Sequence, residues 1–219
     1  MTIALRGDAL LASANMWVRG AAIRPVPRYA VVDGPTLQTI ERELADDSPG
    51  AREELDSAFA RFEATQPQLA DALSQQLSRP LDDAALALGY FLTIAVWLAF
   101  ERTFGATRLR EVSQDALEAT DQAIELEEQI RAAQGDELLF DLDDIVSIEQ
   151  PNLLAFVHAH VDAALDAGTS DRIRRSPGRE VDLGDVRVVY RGVVLLTLCL
   201  SHAVMALDGA TRNSRELMA

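Results

Sequence analysis

Two pairs of carboxylates and one run of arginines are the residues whose types and spacing could do chemistry in this chain. Glu125 and Glu128 stand three apart, and so do Asp141 and Asp144. On a helix that spacing puts both members of a pair on one face. Two facing pairs would offer enough carboxylate oxygens to hold Mg²⁺ for cleavage of a nucleotide or phosphoester. The arginines Arg172, Arg174, Arg175 and Arg179 lie in the stretch RIRRSPGR, which contains no acid. A guanidinium grips phosphate or carboxylate through two parallel hydrogen bonds, so this loop is a candidate binding element.

A third set is Cys199 with His158, His160 and His202. Cys199 and His202 are three apart and share a helix face, so a zinc site or a thiol–imidazole pair is conceivable. Cys199, however, sits in the most apolar stretch of the chain, where a thiol is expected to pack rather than react. His202 is expected to be a buried histidine satisfied by a hydrogen bond.

The carboxylate pairs belong to a strongly acidic segment. Between Glu111 and Glu149 there are thirteen acids and one base, Arg131. The pattern resembles that of the all-α nucleotide pyrophosphatases, in which paired carboxylates on adjacent bundle helices bind magnesium. The resemblance covers some twenty residues and implies Mg²⁺ as cofactor and Glu125, Glu128, Asp141 and Asp144 as ligands. It departs from that family at Arg131, where a further Glu belongs, and at Asp141, where the family has Glu. Asp141-Leu142-Asp143-Asp144 is also similar to the acid motif of some terpene cyclases, but no companion motif accompanies it. The bland alternative for all these acids is a solvated helix face.

Composition narrows the field. All 20 bases are Arg, so lysine-dependent chemistry, from Schiff bases to phosphate-loop NTPases, is excluded. A formal charge of −15 repels nucleic acid and anionic membrane, which are therefore not the expected partners. The single cysteine rules out an internal disulfide, as suits a reducing compartment, and Arg6 and Asp8 interrupt any signal-peptide core. A cytoplasmic protein is expected.

The elements that must position these residues read as helices. An all-α fold follows from 48% hydrophobic residues with only 5% aromatic, dominated by Ala, Leu and Val. Residues 1–32 carry Arg6, Arg19, Arg24 and Arg28 against Asp8 alone and are broken by Pro25 and Pro27; they form a basic arm, a short helix followed by an extended segment. Residues 33–219 form one helical-bundle domain. Its first helices carry the stripes Leu37, Ile40, Leu44, then Leu55, Ala58, Phe59, Phe62, then Leu69, Leu73, Leu77, with Thr65 and Gln68 as a capping box.

Two runs, Ala84–Phe100 and Gly192–Leu207, are apolar all round and lie within helices expected at about 84–104 and 186–207. They predict two central helices wrapped by amphipathic ones; as membrane spans they fall short of about 20 apolar residues. Ala85, Gly89 and Thr93 give the first of them a narrow face for close approach. A long amphipathic helix should pack through Leu109, Val112, Ala116, Ala119, Ala123, Leu126, Ile130 and Ala133, widened by Leu117 and Ile124, against an antiparallel partner within the chain, Gly105 permitting the turn back from the preceding helix. Further helices are expected through Leu138–Val146 and Leu153–Leu165.

The sequence thus predicts a non-enzymatic helical bundle that acts through its surfaces as adaptor, regulator or inhibitor. It needs no cofactor and engages a protein partner, with a homodimer as a further option. The Mg²⁺-dependent hydrolase is the alternative.

Overall fold

Helix starts in this chain are written by short polar side chains placed just before the first turn. A computed structural model describes residues 22–46, 48–133, 146, 149–172 and 182–207. Asp33 accepts from Thr36 N at 2.8 Å to open α1 (Gly34–Leu44), and Ser48 accepts from Ala51 N at 3.2 Å to open α2 (Pro49–Thr65). After α3 (Pro67–Leu77), Asp82 accepts from Ala85 N at 2.7 Å and opens α4 (Asp83–Phe104). Ser113 precedes α5 (Gln114–Ala133) and accepts from Ala116 N. Helix α6 (Pro151–Arg172) starts on a proline, and Asp182 caps α7 (Leu183–Ala203) through Gly184 N at 2.8 Å. Each such cap satisfies an N–H that the helix leaves free and contributes about 1 kcal/mol. The short helix expected in the first part of the arm, and the one expected through Leu138–Val146 apart from its last residue, lie outside the described residues.

The result is an all-α bundle in which α4 and α7 form the centre. From Leu92 to Phe100 and from Val193 to Ser201 every residue is buried, as expected for helices surrounded by others. The two run parallel. At their N-terminal ends Asp82 N donates to Asp185 Oδ2 at 2.8 Å and Asp182 N donates to Asp82 Oδ2 at 2.9 Å. At the other end Arg110 N donates to Ala203 O and Met205 N to Arg108 O, closing an antiparallel bridge between Leu109 and Val204. The expected small-residue face is real. A Cβ added to Gly89 would stand 2.6 Å from Leu77 Cδ2 and 3.3 Å from Val189 Cγ2, so glycine gives the side chains of α3 and α7 room against α4 and any larger residue would have to displace Leu77. Helix α4 is long and apolar enough to cross a bilayer, but 67% of its most apolar window is buried inside the bundle.

The stripes of α1, α2 and α3 bury Leu37 and Ile40, Ala58 and Phe62, and Leu69, Leu73 and Leu77, as their spacing predicts. Three expectations shift. The second central helix stops at Ala203, and Val204 is extended, because the bridge to Leu109 takes over the backbone there. Thr65 and Gln68 form no capping box: Thr65 is the last residue of α2, and its hydroxyl donates to Arg61 O. The predicted seam of α5 faces the core only in part, and its first members, Leu109 and Val112, precede the helix. Leu117, Ile124, Glu127 and Arg131 are buried, whereas Ala116, Ala119, Leu126 and Ala133 are exposed. In this rotation Leu117 and Ile124 are buried while Asp121 and Glu128 reach Arg191. The inward-facing Glu127 is compensated by Arg131 one turn on, at 3.0 Å.

Helix α5 does find an antiparallel partner within the chain, and it is α7. Arg191 of α7 pairs with Asp121 and Glu128, while Cys199, two turns later in α7, lies beside Thr120, earlier in α5. Gly105, at φ +69°, ends α4 in the left-handed region and lets the chain turn towards α5.

Residues 22–32 dock on their own bundle. Ile23, Val26, Ala30 and Val32 are buried, and a short 3₁₀ turn, Arg28–Ala30, interrupts the otherwise extended arm. Gln150, fully buried, brackets the arm: its Oε1 accepts from Val32 N at 3.0 Å, and its Nε2 donates to Ala30 O at 2.7 Å and to Ser201 Oγ at 2.9 Å. Gln66 does the same for the segment after α4, donating to Arg110 O and accepting from Val112 N, both at 2.9 Å. Both glutamines stand immediately before the proline that starts a helix.

Candidate functional site

The rotation of α5 decides what the molecule presents. Facing out are Ala116, Ala119, Leu126 and Ala133, with Ala123 and Ile130 half-buried. These six positions alternate three and four apart, the spacing of a helix–helix seam. Leu126 is 50% exposed, which is unusual for a leucine on a helix that also packs on a core. Beside the stripe lie the exposed carboxylates Asp115, Glu118 and Glu125, with Gln122 and Gln129 between them. The outer face of α5 is thus an apolar strip with an acidic border.

The predicted metal ligands part company on this helix. Glu125 is exposed and accepts a hydrogen bond from Gln129 at 3.3 Å. Glu128 turns the other way and takes Arg191 Nε at 3.2 Å, in an ion-pair triad with Asp121, whose Oδ1 lies 2.8 Å from Arg191 Nη1. Both carboxylates hold the Arg191 guanidinium above its ordinary pKa against the opposing effect of burial. Asp141 and Asp144 lie outside the described residues, as do Arg174, Arg175, Arg179 and the side chain of Arg172. Among the described residues no three His, Cys, Asp or Glu side chains gather in a metal-holding group.

The histidines are dispersed. His160 Nδ1 faces Phe156 O at 2.9 Å and its ring packs on Phe91 and Phe156. His158 lies near Tyr190. His202 and Cys199 do line one cleft of about 540 Å³, between the arm, the N-terminal half of α5 and the end of α7. Burial pushes the Cys199 thiol up to about 11, so at neutral pH it is a packed thiol rather than a nucleophile. Burial also lowers His202, with the charge of Arg24 acting in the same direction. Its Nε2 stands 3.2 Å from Arg24 O. A carbonyl only accepts, so Nε2 carries the proton and Nδ1 is a bare acceptor.

A second cleft, about 590 Å³, opens between α3, α5 and α7. Arg79 and the Arg191–Asp121 pair line it, Arg191 being engaged by that carboxylate.

Sequence reasoning missed the exposure of the α5 stripe and the cleft around His202. The signal for the first was present: Leu117, Ile124 and Arg131 follow one another seven apart and compete with the alanine register. The second depends on the arm folding back across more than a hundred residues and left no local trace. Compared with family models, curated proteins and solved structures, the chain matches none.

Proposed function

We propose that this chain is a non-enzymatic cytoplasmic adaptor or regulator that binds a partner protein through the outer face of α5. The observation that carries the reading is the exposure of a seam-spaced stripe, Ala116 to Ala133, centred on a half-exposed Leu126. Small side chains let a second helix approach closely, and the acidic border selects a partner helix with basic flanks. A second copy of the chain is the poorer fit, since pairing α5 with itself brings like-charged borders together.

A photoreactive amino acid at Gln122, on the exposed face, tests the proposal in cells against the same group at Glu63 on α2. Expected is one discrete adduct from position 122, lost in Leu126→Glu, with the captured protein binding through a basic helical segment. Substituting an exposed leucine should leave stability within about 0.5 kcal/mol. Adducts of equal yield from both positions, or an adduct unchanged by Leu126→Glu, would refute the assignment, and a self-adduct would replace the partner with a homodimer.

A further inference from the structure

We propose that residues 8–20 of this same chain dock as a helix along the outer face of α5, so that a partner helix binds there only by displacing them; the inference rests on reading that face as a docking surface. The place where the described chain begins carries it. Residues 1–21 lie outside the described residues, and the arm that follows them runs beside the start of α5. Arg24 and Tyr29 line one cleft with Ser113, Ala116 and Thr120, and Arg24 O stands 3.2 Å from His202 Nε2. Ala116 is the first member of the exposed stripe. The segment before Ala22 is therefore delivered to that end of the stripe. A helix over residues 8–20 is about 20 Å long, and the stripe from Ala116 to Ile130 covers about 21 Å, so such a helix laid antiparallel to α5 matches it in length.

The chemistry of the two faces is complementary. At helical spacing Leu10, Ala14, Trp17 and Val18 share one side, with Asp8, Asn15 and Arg19 opposite. Their bulk fits the small side chains of Ala116, Ala119 and Ala123, and Leu126 extends the contact. Arg6 and Arg19 flank the apolar stretch, as the acidic border of Asp115, Glu118 and Glu125 requires. Tethering supplies the rest, since a short connection holds the segment at an effective concentration of about millimolar. The other segments outside the described residues lack one half of this pattern. Residues 134–145 carry five acids and no base, which the border repels. Residues 173–181 are basic but offer only Ile173 and Val181 as large apolar side chains, and residues 208–219 only Leu217 and Met218.

The test places a photoreactive amino acid at Gln122 of the purified full chain, with the same group at Glu63 on α2 as control. Every base in the chain is Arg, so trypsin releases Gly7–Arg19 and Glu111–Arg131 as separate peptides. Irradiation should join these two within one chain from position 122 and not from position 63. Trp17→Glu and Leu126→Glu, each checked for helicity by circular dichroism, should cut the yield at least about fivefold. In cells Trp17→Glu frees the face and should raise the partner adduct at position 122 at least about twofold. A link to a different peptide, a link unchanged in Trp17→Glu, or a link between two chains, read as a doubled mass, overturns the inference. So does the absence of any link in the purified chain. If the partner adduct then still forms in cells, the docking face stands without its internal occupant; if neither forms, the face itself is refuted.

Discussion

Replacing Gln150 by leucine, a side chain of similar volume, should loosen the arm before it unfolds the bundle. Gln150 is 0% exposed and makes three hydrogen bonds, two of them to the arm backbone at Val32 N and Ala30 O. Leucine keeps the packing but strands these two groups where water cannot reach them. Ser201 is less affected, because its hydroxyl still donates to Thr197 O at 2.6 Å. At about 1–3 kcal/mol for each of the two stranded groups, a loss of about 2–6 kcal/mol is expected. For a domain of this size each kcal/mol lowers Tm by about 2–4 °C, so the variant should melt about 4–24 °C below the parent.

Two measurements separate local from global effects. Circular dichroism gives Tm, and trypsin reports on the arm: Arg28 is exposed and precedes Tyr29, whereas Arg24 is protected by Pro25. Cleavage after Arg28 should accelerate at temperatures where helicity is intact. A variant melting within about 1 kcal/mol of the parent, with Arg28 equally resistant, would show that the buried apolar residues of the arm suffice to dock it and that the bracket adds nothing.

Gly89→Ala should cost about 1–3 kcal/mol, read from urea denaturation, because its methyl group would meet Leu77 at 2.6 Å and Val189 at 3.3 Å; a neutral result would mean that α3 slides aside freely. Cys199, with its thiol raised to about 11 by burial, should resist iodoacetamide at neutral pH in the folded chain and react once urea unfolds it; rapid alkylation of the native protein would contradict the packed position. His202 is lowered in the folded state, so the neutral ring favours folding: that stability is present above the unfolded value of about 6.5 and is lost as pH falls through the folded value. Comparing the pH dependence of Tm with that of His202→Asn checks this, and identical slopes in the two proteins would exclude the role.

The helices and the central pair were legible in the sequence because their signals are local. A charge-free run such as Ala84–Phe100 states its burial outright, and the stripes of α1 to α3 repeat within a few turns of each other. Long-range polar bonds have no such signature. Gln66 and Gln150 look like ordinary solvated residues, and the single shared hint is the proline that follows each. The capping box at Thr65 failed for the same reason, since the residue beside it was needed for Arg110 and Val112.

Helix α5 shows why a charge pattern can mislead about which side of a helix is inside. Assigning apolar residues to the core and charges to water favours the register Ala116, Ala119, Ala123, Leu126, Ile130 and Ala133. Apolar area does not decide against it, since Leu126 and Ile130 match Leu117 and Ile124; ion pairing offsets it. Glu127 and Arg131, four apart, neutralise one another when buried, and Asp121 and Glu128 share the single charge of Arg191. The acids that could be paired were drawn inward, and those that could not, Asp115, Glu118 and Glu125, stayed out beside the stripe the core did not use. The acids of α5 therefore do different jobs on one helix: Asp121 and Glu128 fasten it to α7, Glu127 pairs with Arg131 on α5 itself, and Asp115, Glu118 and Glu125 border the surface on which a basic partner would dock.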